Sequence, residues 1–494
     1  MQIYKDLTIL YHTSLRLYYL ASGIAGLFSN KAALFYNGRK GLLNYIKQRM
    51  SLKDDLSGTR YWIHCASVGE FEQARPLIEK IKEIEPSSYI VVTFFSPSGY
   101  ELRKNYSLAA NVFYLPMDTI ANARKFVEYV KPDVAIFIKY EFWRNYLSVL
   151  KQQNIPVYLV SAIFRENQPF FRWWGANFRK MLGNFTHFFV QDDQSETLLR
   201  SIGITNVSVA GDTRFDRVIE ITRNNKTIAP LELFTENIKV NDLSLEKPGE
   251  KVNELLIKYL NSHICCVAGS TWPPDEELLR SFMKNYELTK IEKSNDSKVK
   301  PTVLKLIIAP HEVEEAHIKK IESLFAEYKV VKFSDFLVKQ DETMAQPNKA
   351  SAQQNKASAL QNRLFIEQNY TQAQIEKLTE AQVFIIDTVG ILSTAYRYGN
   401  FAYVGGGFGV GIHNILEAAT YGLPVVFGPK YEKFKEAKDL IPLGGAFSVE
   451  KDQTEILEKL VWDHDFREKC SKVCEHYVQK NIGATAIILK QLLS

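Results

Sequence analysis

Short apolar runs and helical periods alternate along most of the chain. From residue 61 onward, β-branched and aromatic runs of strand length recur, and amphipathic stretches such as "ARPLIEKIKEIE" and "NARKFVEYV" lie between most of them. The runs of the first half are "YWIHCA", "YIVVTFF", "NVFYLPMD", "DVAIFIKYEF", "PVYLVSAIF", "THFFVQD" and "NVSVAGD". Continuous apolar strands alternating with helices are typical of parallel βαβ units covered on both faces. The pattern predicts a doubly wound α/β domain.

The same alternation restarts in the second half of the chain. Its runs are "HICCVAGS", "VLKLIIAP", "YKVVKFSD", "VFIIDT", "NFAYVGG" and "PVVFGP". We therefore predict two doubly wound, Rossmann-like α/β domains that face a central cleft. Ligands of open α/β sheets bind beyond the carboxyl ends of the strands, so the loops that follow the strands are expected to carry the functional residues.

The predicted domain boundaries lie where this alternation of strands and helices is interrupted. A chain of 494 residues exceeds what one hydrophobic core usually serves. The predicted parts are a helical segment at 1–50, an N-terminal domain at 51–216, a polar linker at 217–262, a C-terminal domain at 263–465 and C-terminal helices at 466–494. Within the C-terminal domain, residues 338–363 are rich in Gln, Asn, Ala and Lys, which predicts a disordered surface insertion.

The N-terminal segment combines an aromatic-rich helix pattern with basic residues. Residues 7–28 read "LTILYHTSLRLYYLASGIAGLF", and the apolar stretch after Arg16 is shorter than the roughly 20 residues that a spanning helix needs. The basic residues that follow are Lys31, Arg39, Lys40, Lys47, Arg49 and Lys53. This order predicts a segment that lies in an anionic membrane surface. A buried first helix is the alternative, and a cleaved signal peptide fits poorly.

Composition limits the remaining chemistry. The net charge of +5 comes without an arginine-rich stripe interleaved with aromatics, so no nucleic-acid partner is predicted. The five cysteines are an odd count without a small-domain disulfide framework, which suits a reducing cytoplasm. Cys470, Cys474 and His476 lack a fourth ligand. Asp463-His464-Asp465 spells D-x-D, but it falls between two predicted helices, where Asp465 is expected to be an N-cap. We predict no metal site.

The most informative C-terminal stretch is "FAYVGGGFGVGIHNILEAATYGLPVVFGP". Its glycines include Gly406 and Gly407, but they do not form G-x-G-x-x-G, so a dinucleotide fingerprint is not supported. What remains is a glycine-rich loop, containing His413, that leads into a helix predicted to begin near Asn414. A helix N-terminus favours a phosphate, and Glu417 would accept ribose hydroxyls. The alternative is that Asn414 and Glu417 only cap the helix.

Three other C-terminal loops follow predicted strands and carry small polar residues. They are Gly269-Ser270-Thr271, Pro310-His311 and Thr388-Val389-Gly390. Together with the glycine-rich loop they indicate a nucleotide pocket.

In the N-terminal half, residues 64–75 read "HCASVGEFEQAR". Ser67 and Glu70 have the spacing of a capping box, which would make Glu70 a local cap. A carboxylate on the loop after a strand is also where a general base belongs, so both roles stay open. Pro76 could kink the following helix or begin a second one. Further candidates at strand ends are Ser98 in "SPSG", Asp118, Glu141 in "YEFWRN", Arg165 and Arg214.

Several of these motifs together resemble a known family. The stretches "HCASVGEFEQARPLI", "TFFSPSGYE", "YLPMD", "YEFWRN", "FRWWG", "VAGDTRFD" and "DTVGIL…YVGGGFGVGIHNILEAA…GP" are similar to the bacterial 3-deoxy-D-manno-octulosonic acid (Kdo) transferases. These are GT-B-fold glycosyltransferases of lipopolysaccharide synthesis. The resemblance covers nearly the whole chain except the linker and the insertion.

The resemblance implies an inverting transfer of Kdo from CMP-Kdo to the anionic tetraacyl lipid A precursor, at the cytoplasmic face of the bacterial inner membrane and without a cofactor or essential metal. The catalytic glutamate of the family corresponds to Glu70, and the glutamate of its E-x-W motif corresponds to Glu141. The other candidates for holding the acceptor or stabilising the transition state are Ser67, Ser98, Arg165 and Arg214. The expected nucleotide-binding residues are Ser270, Thr271, Pro310, His311, Gly390, Gly406, Gly407, His413, Asn414 and Glu417.

The chain departs from the family pattern at three places. Where the family commonly has Pro-Arg-His, this chain has Ala309-Pro310-His311. It has Gly390-Ile391-Leu392 in place of Gly-Glu-Leu, and Ser161-Ala162-Ile163 in place of Asn-Ala-Arg. The resemblance therefore leaves open which cation holds the Kdo carboxylate. Two other functions fit the same fold: a GT-B enzyme that uses a UDP-sugar and a lipid acceptor, and a non-catalytic two-domain protein that binds a nucleotide.

Overall fold

A computed structural model describes residues 2–51, 58–223, 227–235, 263–293, 303–337 and 370–493. Contacts between residues divide the chain into two units, Met1–Arg217 with Asn481–Ser494, and Val218–Lys480. The insertion predicted at 338–363 lies outside the described residues, and so does most of the predicted linker.

Three helices precede the first sheet: α1 (Gln2–Ala25), α2 (Asn30–Asn37) and α3 (Leu42–Ser51). The buried guanidinium of Arg39, just after α2, donates to the carbonyl oxygens of Phe35 at 3.0 Å, Leu115 at 3.0 Å and Phe95 at 2.7 Å. Since these carbonyls belong to α2 and to loops after two strands, Arg39 fastens α2 to the sheet. Across the described ranges, no helix is both long and apolar enough to cross a membrane.

The first unit contains a seven-stranded parallel sheet in the order β3-β2-β1-β4-β5-β6-β7. Its strands are β1 (Arg60–Cys65), β2 (Tyr89–Phe94), β3 (Asn111–Tyr114), β4 (Val134–Ile138), β5 (Val157–Ala162), β6 (His187–Val190) and β7 (Val207–Val209). Its helices are α4 (Val68–Ile84), α5 (Pro97–Arg103), α6 (Ile120–Val130), α7 (Arg144–Gln152), α8 (Ala176–Leu182), α9 (Asp193–Ser201) and α10 (Thr213–Arg223), with a 3₁₀ turn at Pro169–Phe171.

Alternate side chains of this sheet enter two different cores. Trp62 and Phe137 pack on one face with residues of α3, α6 and α7, whereas Tyr61 and Ile63 pack on the other face with residues of α4. Both faces are therefore covered, which explains why the strands read as continuous apolar runs.

The second unit contains another seven-stranded parallel sheet, in the order β10-β11-β9-β8-β12-β13-β14. Its strands are β8 (His263–Thr271), β9 (Val303–Pro310), β10 (Val330–Lys332), β11 (Val383–Ile385), β12 (Phe401–Val404), β13 (Val425–Phe427) and β14 (Ala446–Ser448). Its helices are α11 (Ala229–Thr235), α12 (Pro273–Lys293), α13 (Glu315–Leu324), α14 (Gln372–Glu380), α15 (Leu392–Ala395), α16 (Leu416–Ala419), α17 (Lys435–Leu443), α18 (Glu455–Trp462) and α19 (His464–Asn481), with 3₁₀ turns at Phe333–Phe336 and Tyr396–Tyr398.

The last helix, α20 (Ala484–Leu492), belongs to the first unit. Its Ile488, Leu489 and Leu492 are buried in the same core as Ile63 and Leu77. Asp216, on α10, accepts the backbone N–H groups of Gly483 at 2.6 Å and Thr485 at 2.7 Å, so it satisfies donors at the start of α20.

The structure rules out one alternative, a second helix beginning at Pro76, and corrects two local predictions. α4 runs from Val68 through Pro76 to Ile84 as one helix. Asp463, and not Asp465, caps α19, because its Oδ1 accepts the backbone N–H of Phe466 at 2.9 Å. The helix expected near Asn414 has four residues and begins at Leu416.

Candidate functional site

Glu70 lies on the first turn of α4, directly after the loop that follows β1. Its Oε2 accepts the backbone N–H of Ser67 at 2.7 Å and the Ser67 hydroxyl at 3.2 Å, so the predicted capping box is present. Its Oε1 has no hydrogen-bond partner among the described residues. The side chain is 9% exposed. Burial raises the pKa of Glu70, the negative charge of Glu141 raises it further, and the Ser67 N–H, His64 and Lys139 oppose the rise.

Glu141 is held by a buried chain of polar groups behind Glu70. In the β1–β2 register, His64 lies directly opposite Thr93. Trp62 Nε1 donates to Thr93 Oγ1 at 2.8 Å, and the same oxygen lies 2.8 Å from His64 Nδ1. His64 Nε2 lies 3.0 Å from Glu141 Oε2, and the Trp143 Nε1–H lies 2.9 Å from the same nitrogen.

Trp143 completes this arrangement, because its Nε1 donates to Glu141 Oε2 at 2.6 Å. Glu141 and Trp143 are the two ends of the E-x-W motif. Glu141 Oε2 thus lies between this indole N–H and the His64 ring, so its position is fixed and its charge acts on Glu70 from a constant direction. Sequence reasoning missed His64, although a histidine within an otherwise apolar strand is a usable signal.

The loop after β2 lies beside the Glu70 loop. The backbone N–H of Ser96 donates to Ala66 O at 2.8 Å, which joins the two loops. Ser96 Oγ and Ser98 Oγ are 2.8 Å apart, and Ser98 is exposed. Ser67, on the loop after β1, and Ser98, in the first turn of α5, thus both lie at the carboxyl edge of the sheet.

The two candidate arginines differ in their surroundings. Arg165 follows β5 and is exposed. Arg214, on α10, donates through Nε to Asp212 Oδ2 at 2.9 Å. Burial alone would raise the pKa of Asp212, but Arg214 and the amide of Gln73 lower it below its usual value. The charge of Arg214 is therefore partly neutralised, whereas Arg165 presents its guanidinium to solvent.

Several of these charged groups act on the side chain of Tyr140. Burial raises the pKa of Tyr140; the charge of Arg165 opposes this rise, and Asp192, Glu70 and Asp212 add to it. Glu70 and Arg165 thus act on one side chain.

Asp118, another candidate from the sequence, has a structural role. Its buried carboxylate accepts the backbone N–H groups of Asn145 and Tyr146 at 3.1 Å and the Tyr11 hydroxyl at 2.6 Å, so it caps α7 and anchors α1.

In the second unit, the candidate nucleotide residues lie at the carboxyl edge of four adjacent strands. β11, β9, β8 and β12 are neighbours in the sheet. The carboxyl ends of these strands and the loops that follow them carry, in that order, Gly390; Pro310 and His311; Ser270 and Thr271; and Gly406, Gly407 and His413, and the structure places Ser270, Thr271 and Pro310 within the strands and not in loops. The topology therefore gathers residues that are far apart in sequence.

The glycine-rich loop packs closely on its own unit. A Cβ at Gly407 would lie 2.6 Å from the Cα of Gly428, and Gly406 has a φ of +93°. The buried carboxylate of Asp275 accepts the backbone N–H groups of Gly406 at 3.0 Å and Trp272 at 2.9 Å. It also accepts the Tyr403 hydroxyl at 2.7 Å. Asp275, which sequence reasoning missed, thus ties the loop to the start of α12.

Three aromatic rings stack beside this loop. The ring centroids of Trp272 and His311 are 4.8 Å apart, and those of His311 and His413 are 4.4 Å apart. Trp272 Nε1 donates to His413 Nε2 at 3.3 Å. Burial, together with His311, lowers the pKa of His413 to about 4. His413 is therefore neutral at physiological pH, with its proton on Nδ1.

Asn414 and Glu417 bond to each other. Asn414 Nδ2 donates to Glu417 Oε1 at 3.1 Å, and Asn414 Oδ1 accepts the Leu416 N–H at 3.2 Å. The capping role that the sequence left open is present, but it serves a helix of only four residues. Thr271 is fully buried and donates its hydroxyl to Glu276 at 3.0 Å, so its side chain supports the site from inside.

The described residues contain no group of three or more His, Cys, Asp or Glu side chains placed to hold a metal ion. All five cysteines are free and buried. Cys470 and Cys474 lie in α19, where Cys474 Sγ donates to Gly445 O at 3.2 Å.

Two doubly wound parallel sheets with polar loops at their carboxyl edges are the architecture of the GT-B fold. Residues 44–217 match the sequence model of the 3-deoxy-D-manno-octulosonic-acid transferase (kdotransferase) family. Over 90% of the chain it is 24% identical to the 3-deoxy-D-manno-octulosonic acid transferase of Rickettsia prowazekii, covering 82% of that protein. Over 81% it is 25% identical to the enzyme of the same name from Aquifex aeolicus, covering 84% of it. The chain is thus similar to Kdo transferases over most of its length, and residues 44–217 match the domain that the family model describes.

Two solved structures align with this chain at low similarity. UDP-GlcNAc 2-epimerase from Neisseria meningitidis, bound to UDP-GlcNAc, aligns over 88% of this chain and 100% of its own, with 15% identity and a TM-score of 0.49. The C-terminal CMP-Kdo binding domain of WaaA from Acinetobacter baumannii aligns over 50% of this chain and 98% of its own, with 18% identity and a TM-score of 0.30. Likenesses of this strength carry no information about substrate.

Proposed function

We propose that this protein transfers Kdo from CMP-Kdo to the tetraacyl disaccharide bisphosphate precursor of lipid A, with inversion at the anomeric carbon. The observation that carries the proposal is Glu70, a buried carboxylate with one uncommitted oxygen, inside the part of the chain that matches the Kdo transferase model. Glu141, Ser67, Ser98, Arg165 and Arg214 lie in the same part.

In this mechanism Glu70 is the general base. The acceptor hydroxyl oxygen attacks the anomeric carbon of Kdo, its proton passes to Glu70 Oε1, and the bond to the CMP phosphate oxygen breaks. The raised pKa of Glu70 suits the role, because a stronger base takes the proton from the acceptor hydroxyl more readily. The bond from Ser67 holds Oε2, so Oε1 is left to face the acceptor.

The second unit is proposed to bind the nucleotide. The loops after β11, β9, β8 and β12 would hold CMP, with Ser270 and His311 near the phosphate and Asn414 and Glu417 near the ribose. His413 supports this assignment, because a neutral imidazole with its proton on Nδ1 donates a hydrogen bond without adding charge. The backbone of the glycine-rich loop, tied down by Asp275, would supply a fixed surface.

Cations are needed for the donor carboxylate and for the acceptor phosphates. Arg165 is the stronger candidate for the carboxylate, since it is exposed and acts electrostatically on the same tyrosine as Glu70. Arg214, already paired with Asp212, is assigned to positioning and to a lipid phosphate.

The N-terminal helices are proposed to lie in the cytoplasmic face of the inner membrane. One side of α1 and the turn after it expose large apolar residues: Leu17 at 61%, Leu20 at 59%, Ile24 at 66%, Leu27 at 79% and Phe28 at 88%. Basic residues follow at Lys31, Lys40, Lys47 and Arg49. An apolar stripe beside basic residues fits an anionic bilayer surface.

The test is direct. The purified protein is incubated with freshly made CMP-Kdo and the tetraacyl precursor, and the lipid is analysed by mass spectrometry. We expect a mass increase of one or more Kdo residues. No increase with a folded sample would refute the proposal. UDP-sugars are assayed in parallel, since turnover of one of them would favour another GT-B activity, and nucleotide binding without any transfer would favour a non-catalytic role.

A further inference from the structure

A groove of about 440 Å³ separates α1 from α2 and reaches the loop after β2. Its lining includes Tyr18, Ala21 and Ala25 of α1, Ala32 and Phe35 of α2, and Phe95 of the loop. Tyr18, Ala21 and Ala25 are spaced by three and four residues, so they share one side of the helix. The groove exists because two of these three positions carry only a methyl group.

The lining is mostly apolar despite the serines in it. Ser22 Oγ donates to Tyr19 O at 2.6 Å, so this hydroxyl is satisfied within its own helix. The aromatic rings form one continuous wall, with centroid distances of 5.5 Å from Tyr18 to Phe35 and 5.2 Å from Phe35 to Phe95. An apolar chain can therefore lie in the groove without leaving this hydroxyl unpaired.

The two ends of the groove have different surroundings. At the inner end, the ring of Phe95 lies 4.8 Å from the ring of Trp143, which donates to Glu141 beside the proposed base. At the outer end is the exposed apolar side of α1, with Leu17, Leu20 and Ile24. The groove thus leads from the Glu141 network to the surface proposed to enter the membrane.

The charged and polar residues that line the groove indicate which kind of molecule it binds. Lys31 lines the groove, and so does Ser96, which is on the loop joined to the Glu70 loop. A molecule with an anionic head and a hydrocarbon tail matches this lining, because its head would face Lys31 and the serine loop while its tail follows the aromatic wall.

We propose that the groove binds one acyl chain of the lipid acceptor, and so helps to position the acceptor hydroxyl at Glu70. This inference rests on the proposed function. It adds that the protein recognises the tail of its acceptor as well as its head. Each methylene that the groove removes from water should tighten binding about fourfold.

The experiment fills the groove and compares two acceptors. Ala21→Leu and Ala25→Leu each place a larger side chain in the groove, and Thr13→Leu places the same leucine side chain at an exposed position of α1 outside the groove. Kinetics are measured in detergent micelles with the tetraacyl precursor and with its fully deacylated, water-soluble derivative. Thermal unfolding checks that each variant is folded.

We expect the filled variants to raise KM for the tetraacyl acceptor by about 10- to 100-fold, as for two or three lost methylenes, with kcat nearly unchanged. KM for the deacylated acceptor should stay the same, and Thr13→Leu should behave as wild type with both. Equal effects on the two acceptors, or no effect on either, would overturn the proposal.

Two further outcomes separate the possible failures. A wild-type protein that transfers Kdo to neither acceptor refutes the proposed function itself. If the filled variants lose binding to vesicles of phosphatidylethanolamine and phosphatidylglycerol but keep a normal KM in micelles, the groove binds bilayer lipid, and the assignment to the acceptor is wrong.

Discussion

At Glu70, a helix cap and a proposed base share one carboxylate. Oε2 accepts the Ser67 N–H, and Oε1 has no partner in the described part of the chain. The spacing of Ser67 and Glu70 was enough to predict the cap. The surroundings that raise the pKa were not predictable, because they depend on which residues β2 and β4 bring beside β1. His64 meets Thr93 only through the parallel register of two strands separated by a whole helix.

Replacing Glu70 by glutamine separates the two roles. Glu70→Gln should lower kcat by about 10²- to 10⁴-fold, because an amide can accept the Ser67 N–H but cannot take a proton. The folded state disfavours the ionised form of a carboxyl whose pKa is raised, so stability at pH 7 should be unchanged or slightly higher.

Turnover and thermal unfolding measure the two effects. Glu72→Gln is the matched control, since Glu72 lies on the same helix in a partly exposed pair with Arg103 and should change little. Retained activity in Glu70→Gln would leave Glu70 as a cap alone.

The pH profile should respond to Glu141. A base acts when deprotonated, so kcat/KM should fall below the raised pKa of Glu70. Glu141→Gln removes the negative neighbour and leaves the opposing effects of His64 and Lys139, so the pKa of Glu70 falls and the acidic limb should move to lower pH. Titrating kcat/KM of both proteins tests this. A limb that moves upward, or does not move, would show that Glu141 does not act on the base.

At the scale of elements, the sequence pattern predicted the strands well where they are apolar and buried. It missed β14, because Ala446–Ser448 is a three-residue strand with an exposed end at Ser448. The glycine-rich loop was expected to lead into a regular helix. The short α16 forms instead, while the loop packs on Gly428 and on Asp275, residues that no local pattern connects to it.

Removing the Asp275 carboxylate should loosen this loop. Asp275→Ala leaves the buried N–H groups of Trp272 and Gly406 and the Tyr403 hydroxyl without their acceptor, which should destabilise the second unit by about 1–3 kcal/mol. We also expect KM for CMP-Kdo to rise several-fold, with KM for the lipid acceptor unchanged. Glu277→Ala, an exposed neighbour on α12, is the control. An unchanged donor KM would contradict a role for the loop in nucleotide binding.

At the scale of the whole molecule, residues 481–494 belong to the first unit, although they follow the second unit in the chain. α20 fills the face of the first sheet opposite α6 and α7, and its Ile488 is fully buried. Sequence periodicity predicted helices from residue 466 onward, but it could not assign this one to the first sheet, since an apolar helix face does not specify its partner.

Ile488→Ala should therefore destabilise the first unit by about 2–5 kcal/mol, although the substitution lies far along the chain from β1. Hydrogen exchange should accelerate in β1, β2 and α4 and stay unchanged in the second sheet. Ile487→Ala changes the adjacent residue, which is 46% exposed, and should have little effect. Faster exchange in the second sheet instead would contradict the assignment of α20.

The position of α20 also bears on synthesis. The core formed by Ile63 of the first sheet and Leu77 of α4 lacks the apolar side chains of α20 until residues 481–494 have left the ribosome. At about 5–20 residues per second, translation of the second unit takes roughly 13–50 s. For that time the nascent first unit exposes apolar surface, so it should be a substrate for chaperones that hold incomplete domains. The part of the protein that is made first is the last to become complete.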